Sequence, residues 1–221
     1  MDVRNNIAFF QNQLTPNSCQ LVAVSKTHPV EKIKEAYDAG QRIFGENKVQ
    51  EMCAKQPLLP SDIEWHLIGH LQTNKVKQIA PFVSLIHSVD SFKLLEEINK
   101  QGKKVNRTIP CLLQVYIANE ETKFGFDERE LIALILSDKI PLLDFVTING
   151  LMGMATFTDN KEQVREEFKS LKILFDKIRQ LSLPATITMK ELSMGMSQDY
   201  EIAVEEGSTL VRIGTAIFGA R

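Results

Sequence analysis

Leu21-Val22-Ala23-Val24-Ser25-Lys26-Thr27-His28-Pro29 is the first strongly apolar run of the chain. It is short and is stopped by Pro29, so it reads as a buried strand. The next segment, Val30–Ala39, has helical spacing and ends at Gly40. Strand-then-helix pairs of this kind recur at intervals of about 20 to 30 residues, the reading for a parallel sheet with crossover helices. The other strands are predicted at Arg42–Phe44, Glu64–Ile68, Ser84–His87, Ile109–Val115, Leu143–Asn149, Thr188–Leu192 and Leu210–Ile213. The other helices are predicted at Lys48–Gln56, Asn74–Ala80, Ser91–Gln101, Glu128–Ser137, Lys161–Leu181 and Tyr200–Glu206, with Gly102 and Gly207 as stops. In the sixth helix of this set, Val164, Phe168, Leu171, Phe175, Ile178 and Leu181 step by three or four residues and build one apolar face.

Eight strands with helices between them make a (β/α)8 barrel of α/β class, and 221 residues suit a single domain of that fold. An open doubly wound sheet is disfavoured, because no G-x-G-x-x-G follows the first strand. Val3 to Leu14 is expected to add one helix that covers the barrel bottom, and no linker or repeat divides residues 1–221.

Charge is nearly balanced, with 26 basic and 28 acidic residues, which gives no electrostatic case for nucleic acid or a membrane surface. The most basic stretch, Asn99 to Arg107, reads as a solvated helix end and loop. The first residues lack the apolar core of a signal peptide, and no run approaches a membrane span. Three cysteines without a CxxC pair fit a reducing compartment, so a cytoplasmic protein is expected.

In such a barrel the carboxyl ends of the strands carry the chemistry, and phosphate binds after strands seven and eight. Lys26 lies at the first of these ends. Burial favours a neutral amine, the nucleophile that forms a Schiff base with a carbonyl, while a lysine snorkelling into solvent is the plain alternative. Ser193-Met194-Gly195-Met196-Ser197 is expected to follow strand seven and to open a helix. Its N–H groups, the bare backbone of Gly195 and the hydroxyls of Ser193 and Ser197 suit a phosphate, although Ser197 reads equally as an N-cap. Gly214-Thr215 repeats that chemistry after strand eight. Arg212, near the end of the last strand, is either a surface ion-pair partner or a cation facing the same mouth as Lys26. A lysine together with a phosphate cradle points to pyridoxal 5′-phosphate. His66 and His70 span a strand end rather than a helix and lack the H-E-x-x-H pattern, so no metal site is predicted.

Several stretches carry a family resemblance: LVAVSKTHP (21–29), FGENKVQE (44–51), WHLIGHLQTNKVK (65–77), HSVDS (87–91), KFGF (123–126), GLMGMAT (150–156), LSMGMSQDYEIAVEEGST (192–209) and VRIGTAIFGAR (211–221). In order and along nearly the whole chain, they resemble the pyridoxal phosphate homeostasis proteins, relatives of the barrel domain of bacterial alanine racemase. The resemblance implies a single barrel of alanine racemase type (fold type III) holding pyridoxal 5′-phosphate. The cofactor lysine falls on Lys26, the phosphate loops on Ser193–Ser197 and Gly214-Thr215, the ring-facing arginine on Arg212 and a polar pocket position on Asn47. It implies a cofactor carrier contributing to vitamin B6 and amino-acid balance, expected as a monomer, with PLP-dependent apo-enzymes as partners and no established catalysis. A racemase using Lys26 is the alternative, and it lacks the second domain that supplies a tyrosine in alanine racemase. Lys123 belongs to a family motif and receives no role.

Overall fold

The computed structural model describes residues 2–118 and 124–219. Eight parallel strands close into one barrel in chain order, with β1 (Gln20–Val24) pairing β8 (Leu210–Ile213) to complete it. Between these lie β2 (Ile43–Glu46), β3 (Glu64–Leu67), β4 (Leu85–Val89), β5 (Ile109–Gln114), β6 (Val146–Met152) and β7 (Ile187–Met196). The helices in chain order are α1 (Val3–Leu14), α2 (Val30–Asp38), α3 (Val49–Lys55), α4 (Val76–Ile79), α5 (Phe92–Val105), α6 (Glu128–Ile135), α7 (Lys161–Arg179), α8 (Tyr200–Glu205) and α9 (Thr215–Phe218). Among the described residues no helix is long and apolar enough to cross a membrane.

The alternation of side chains along a strand produces two apolar layers. Val22, Leu85, Leu112, Met152 and Leu210 fill the barrel interior, packed by Ile43 and Ile68. The opposite strand faces, with Leu21, Ala23, Phe44 and Trp65 among them, pack against the helices. Helix α7 buries Val164, Phe168, Leu171, Phe175 and Ile178 in that outer layer, the face expected from their spacing, while Leu181 falls beyond its end.

Three sequence expectations shift. Helix α1 lies along the outer wall: Phe10 meets the Tyr200 ring edge-on at 5.4 Å, and Asn6 donates to the Ile217 carbonyl at 2.9 Å. Only its C-terminal end reaches the bottom rim, where Gln11 donates to Gln41 at 3.2 Å. The wall beside β8 needs this cover because α9 is a single turn. Gly102 does not stop α5; the helix runs on to Val105 and is capped by Asn106 in left-handed conformation. A Cβ at Gly102 would come within 2.7 Å of the Arg107 carbonyl oxygen, so the glycine serves close packing inside the helix. Strands β2, β6 and β7 run past their predicted ends through Gly45, Gly150 and Gly195, because ladder pairing overrides the low strand preference of glycine.

Candidate functional site

The predicted site residues sit on four contiguous strands, in the order β2, β1, β8, β7. Asn47 follows β2, Lys26 lies two residues after β1, Arg212 is in β8 with Gly214 and Thr215 just beyond it, and Ser193 and Gly195 are in β7. The registers Val24 with Gly45, Ala23 with Ile213 and Met196 with Arg212 bring these strand ends to one mouth.

Lys26 is half-buried in the turn between β1 and α2. Thr27 beside it has φ 68°, a left-handed conformation that a β-branched residue adopts only when its surroundings hold it there. Asn47 keeps a buried side-chain oxygen, Oδ1, for which the described residues supply no hydrogen-bond donor. Such an atom costs free energy unless something else satisfies it. Asn47 also packs tightly, since a Cβ at Gly69 would lie 2.8 Å from its Cα.

Arg212 is 5% exposed, which removes the surface ion-pair reading. Its guanidinium donates to Ser193 Oγ at 2.6 Å and to the Gly153 carbonyl at 3.1 Å. Burial pushes its pKa down to about 10, with Asp199 acting against the shift, so it remains a cation at neutral pH. Ser193 is not in the loop predicted after strand seven. It lies inside β7, fully buried, with its hydroxyl between Arg212 and His87 Nδ1 at 2.9 Å. His87 Nε2 in turn meets His66 Nδ1 at 3.0 Å. A continuous chain thus runs Arg212–Ser193–His87–His66 through the barrel. Burial holds both imidazoles neutral: His66 is pushed down to about 3, and His87 well below its ordinary value by burial and by the nearby His66 and Arg212. His66 therefore pairs with His87 rather than His70, which faces Asp90 at 3.1 Å.

The glycine loops differ in what they tolerate. Gly195 has φ 93°, and a Cβ there would meet the Ala203 Cβ at 2.5 Å, so this residue lets α8 pack on β7. Gly214 has a negative φ of −121°, and its Cβ would meet Val24 O and Cβ at 3.1 and 3.2 Å. The first N–H groups of α9, beginning at Thr215, have no partner within that helix. In the β7 loop, Asp199 rather than Ser197 is the residue before α8, and its carboxylate accepts the Met196 N–H at 2.5 Å. Burial raises the Asp199 pKa, while Met196 N–H and Arg212 pull it down. The loop after β7 thus carries an acid at its edge, beside the residues expected there to meet a phosphate. Gly195→Val should lower stability by about 2–4 kcal/mol through strain and overpacking. Gly214→Ala should lower it by less than about 1 kcal/mol. Urea unfolding of the two variants measures this difference, and equal midpoints would refute it.

No role for His87 or Asp199 is read from the sequence, whereas Glu46 stands in the run Phe44-Gly45-Glu46-Asn47, whose polar groups end strand two where they can hydrogen-bond a ligand. Lys123 lies outside the described residues.

A closed parallel barrel with a lysine, a buried arginine and glycine-rich turns at its C-terminal mouth defines a class, the barrel of alanine racemase type. Residues 2–221 match the family model for the alanine racemase N-terminal domain. The pyridoxal phosphate homeostasis protein of Aquifex aeolicus is 42% identical over 206 residues, 93% of this chain and 88% of that protein. The protein of the same name from Homo sapiens is 41% identical over 215 residues, 91% of this chain and 76% of that protein. The chain belongs to the pyridoxal phosphate homeostasis protein family. Among solved structures, PipY of Synechococcus elongatus without PLP superposes with a TM-score of 0.91 at 39% identity, covering 98% of this chain and all 100% of that one. PipY with PLP bound gives 0.87 at 38% identity and the same coverage. Alanine racemase from Bartonella henselae, 20% identical with a TM-score of 0.72, shares the fold over 100% of this chain and 60% of its own.

Proposed function

We propose that this chain binds pyridoxal 5′-phosphate at the barrel mouth, covalently through Lys26, and acts as a non-catalytic carrier that buffers the cofactor. The observation that carries this reading is PipY, a relative at 38% identity over 98% of this chain, solved with PLP bound. The site fits the group. Asn47 Oδ1 finds no donor among the described residues, Lys26 offers an amine, and the turn after β8, with Gly214, offers N–H groups to an anion. Ser193 contributes by fixing Arg212 instead of reaching phosphate, and Gly195 by letting the loop fold back on α8.

Bound there, the cofactor supplies an aldehyde and an electron-withdrawing ring. Arg212, a buried cation, opposes protonation of a pyridine nitrogen beside it and so keeps the ring a weak electron sink. Racemisation also needs an acid and a base on opposite faces of one carbon. Lys26 serves one face. Tyr37 and Tyr200 are committed elsewhere, to Asp62 at 2.7 Å and to Glu201 at 3.2 Å, while Tyr116 lies just beyond β5. The chain is proposed to work as one cofactor-binding domain, a monomer in the cytoplasm, with PLP-dependent apo-enzymes as recipients.

The test is a pair of assays on the loaded protein. Turnover of alanine, serine or glutamate is expected to be negligible in both wild type and Tyr116→Phe, while an added apo-enzyme gains activity. Sustained turnover of any amino acid, lost in Lys26→Ala, would transfer the reading to the racemase.

A further inference from the structure

Directly beneath the Lys26 turn lies a buried ionic group that the site described above does not use. Lys55, the last residue of α3, is 7% exposed, and Glu46, the last residue of β2, is fully buried. Lys55 Nζ donates to three acceptors: the Ser25 carbonyl at 2.8 Å, Glu46 Oε1 at 2.8 Å and Glu51 Oε1 at 2.6 Å. Ser25 Oγ donates to the same Glu46 oxygen at 2.6 Å, and Glu51 Oε1 accepts the Thr27 N–H at 2.5 Å. Both peptide neighbours of Lys26, the carbonyl before it and the N–H after it, are therefore held by a single ammonium–carboxylate group.

We propose that Lys55, Glu46 and Glu51 are positioning residues that hold the Lys26 amine in the geometry for imine formation. A buried ion pair is a poor device for stability alone, because well-packed apolar residues serve as well or better. Here the group secures something apolar residues cannot: the left-handed Thr27, whose N–H ends on Glu51. Three acceptors use all three protons of an ammonium, so Lys55 itself has no lone pair to offer an aldehyde. Glu46 is raised by burial, against the pull of Lys55 and Ser25. For Glu51 burial acts upward, yet the bonds from Lys55 and Thr27 outweigh it and hold the carboxyl below its ordinary value.

The inference rests on the proposed cofactor reading. In the step concerned, the Lys26 Nζ lone pair forms the C–N bond to the aldehyde carbon. Both amine protons leave with the carbonyl oxygen as water, and no oxidant or reductant takes part.

The experiment compares Lys55→Met, Glu51→Ala and Glu51→Gln with wild type. Glu51 is at the edge of the cluster, with 23% of its side chain exposed, so its variants decide the matter if Lys55→Met fails to fold. With pyridoxal 5′-phosphate, Glu51→Ala should form the imine at least about tenfold more slowly, the scale of losing an aligned attack geometry. Pyridoxine 5′-phosphate, which has no aldehyde, should bind as in wild type, and Glu51→Gln, which keeps the acceptor for Thr27, should recover most of the rate. In the cofactor-free protein, hydrogen exchange at the Thr27 amide should quicken in Glu51→Ala and not in Glu51→Gln. A wild-type imine rate in Glu51→Ala, or equal loss of pyridoxine 5′-phosphate binding, would overturn the positioning role alone. A wild-type protein that forms no imine would remove both this role and the covalent carrier.

Discussion

Lys26→Ala is expected to abolish covalent attachment of pyridoxal 5′-phosphate altogether. Borohydride reduction of the loaded wild type should leave a stable label on the peptide containing Lys26, and the variant should carry none. Overall affinity for the cofactor should fall by about two orders of magnitude, to what the non-covalent contacts alone supply, the scale of losing an oriented bond within a bound complex. Lys55 also reaches this turn, but its ammonium is spent on Ser25, Glu46 and Glu51. Label found chiefly on Lys55, Lys123 or any other lysine would overturn the assignment. So would a protein that stays colourless when the cofactor is added.

Acid should destabilise the fold steeply below about pH 6.5, and the histidine pair is the reason. Unfolded, each imidazole titrates from an ordinary pKa of 6.5; folded, His66 is pushed down to about 3 by burial, and His87 falls well below its ordinary value. Over that interval the unfolded chain binds more protons than the folded one. Stability due to the neutral imidazoles is therefore complete above the unfolded pKa and is lost as pH falls. Each histidine contributes a slope of about 1.4 kcal/mol per pH unit, or about 3 kcal/mol over two units. Urea unfolding between about pH 7 and pH 4.5 measures the slope, and His87→Gln should reduce it by about one proton. A variant slope equal to that of wild type would mean that His87 is hydrated rather than sealed between Ser193 and His66.

The same pair shows how far the residues alone lead. The run from Leu21 to Val24, its seven counterparts and the helical spacing between them suffice for a parallel barrel, because alternating burial and helix period are local patterns. Lys26, Gly214 and Arg212 were legible for a related reason: they stand at or just beyond the ends of strands that local pattern already locates. Strand ends were less legible. Ser193 reads as a loop hydroxyl when the strand is taken to end at Leu192, whereas pairing with β6 and β8 carries β7 on to Met196.

Local pattern therefore determined the strand order, the mouth and the lysine presented there. The tertiary structure alone decided the partners: His87 meets Ser193 across 106 residues, and Lys55 meets Ser25 across 30. No periodicity specifies such contacts. They arise when β8 closes on β1 and brings the strand ends into one enclosed space, where each buried polar group must find whatever partner the closure supplies.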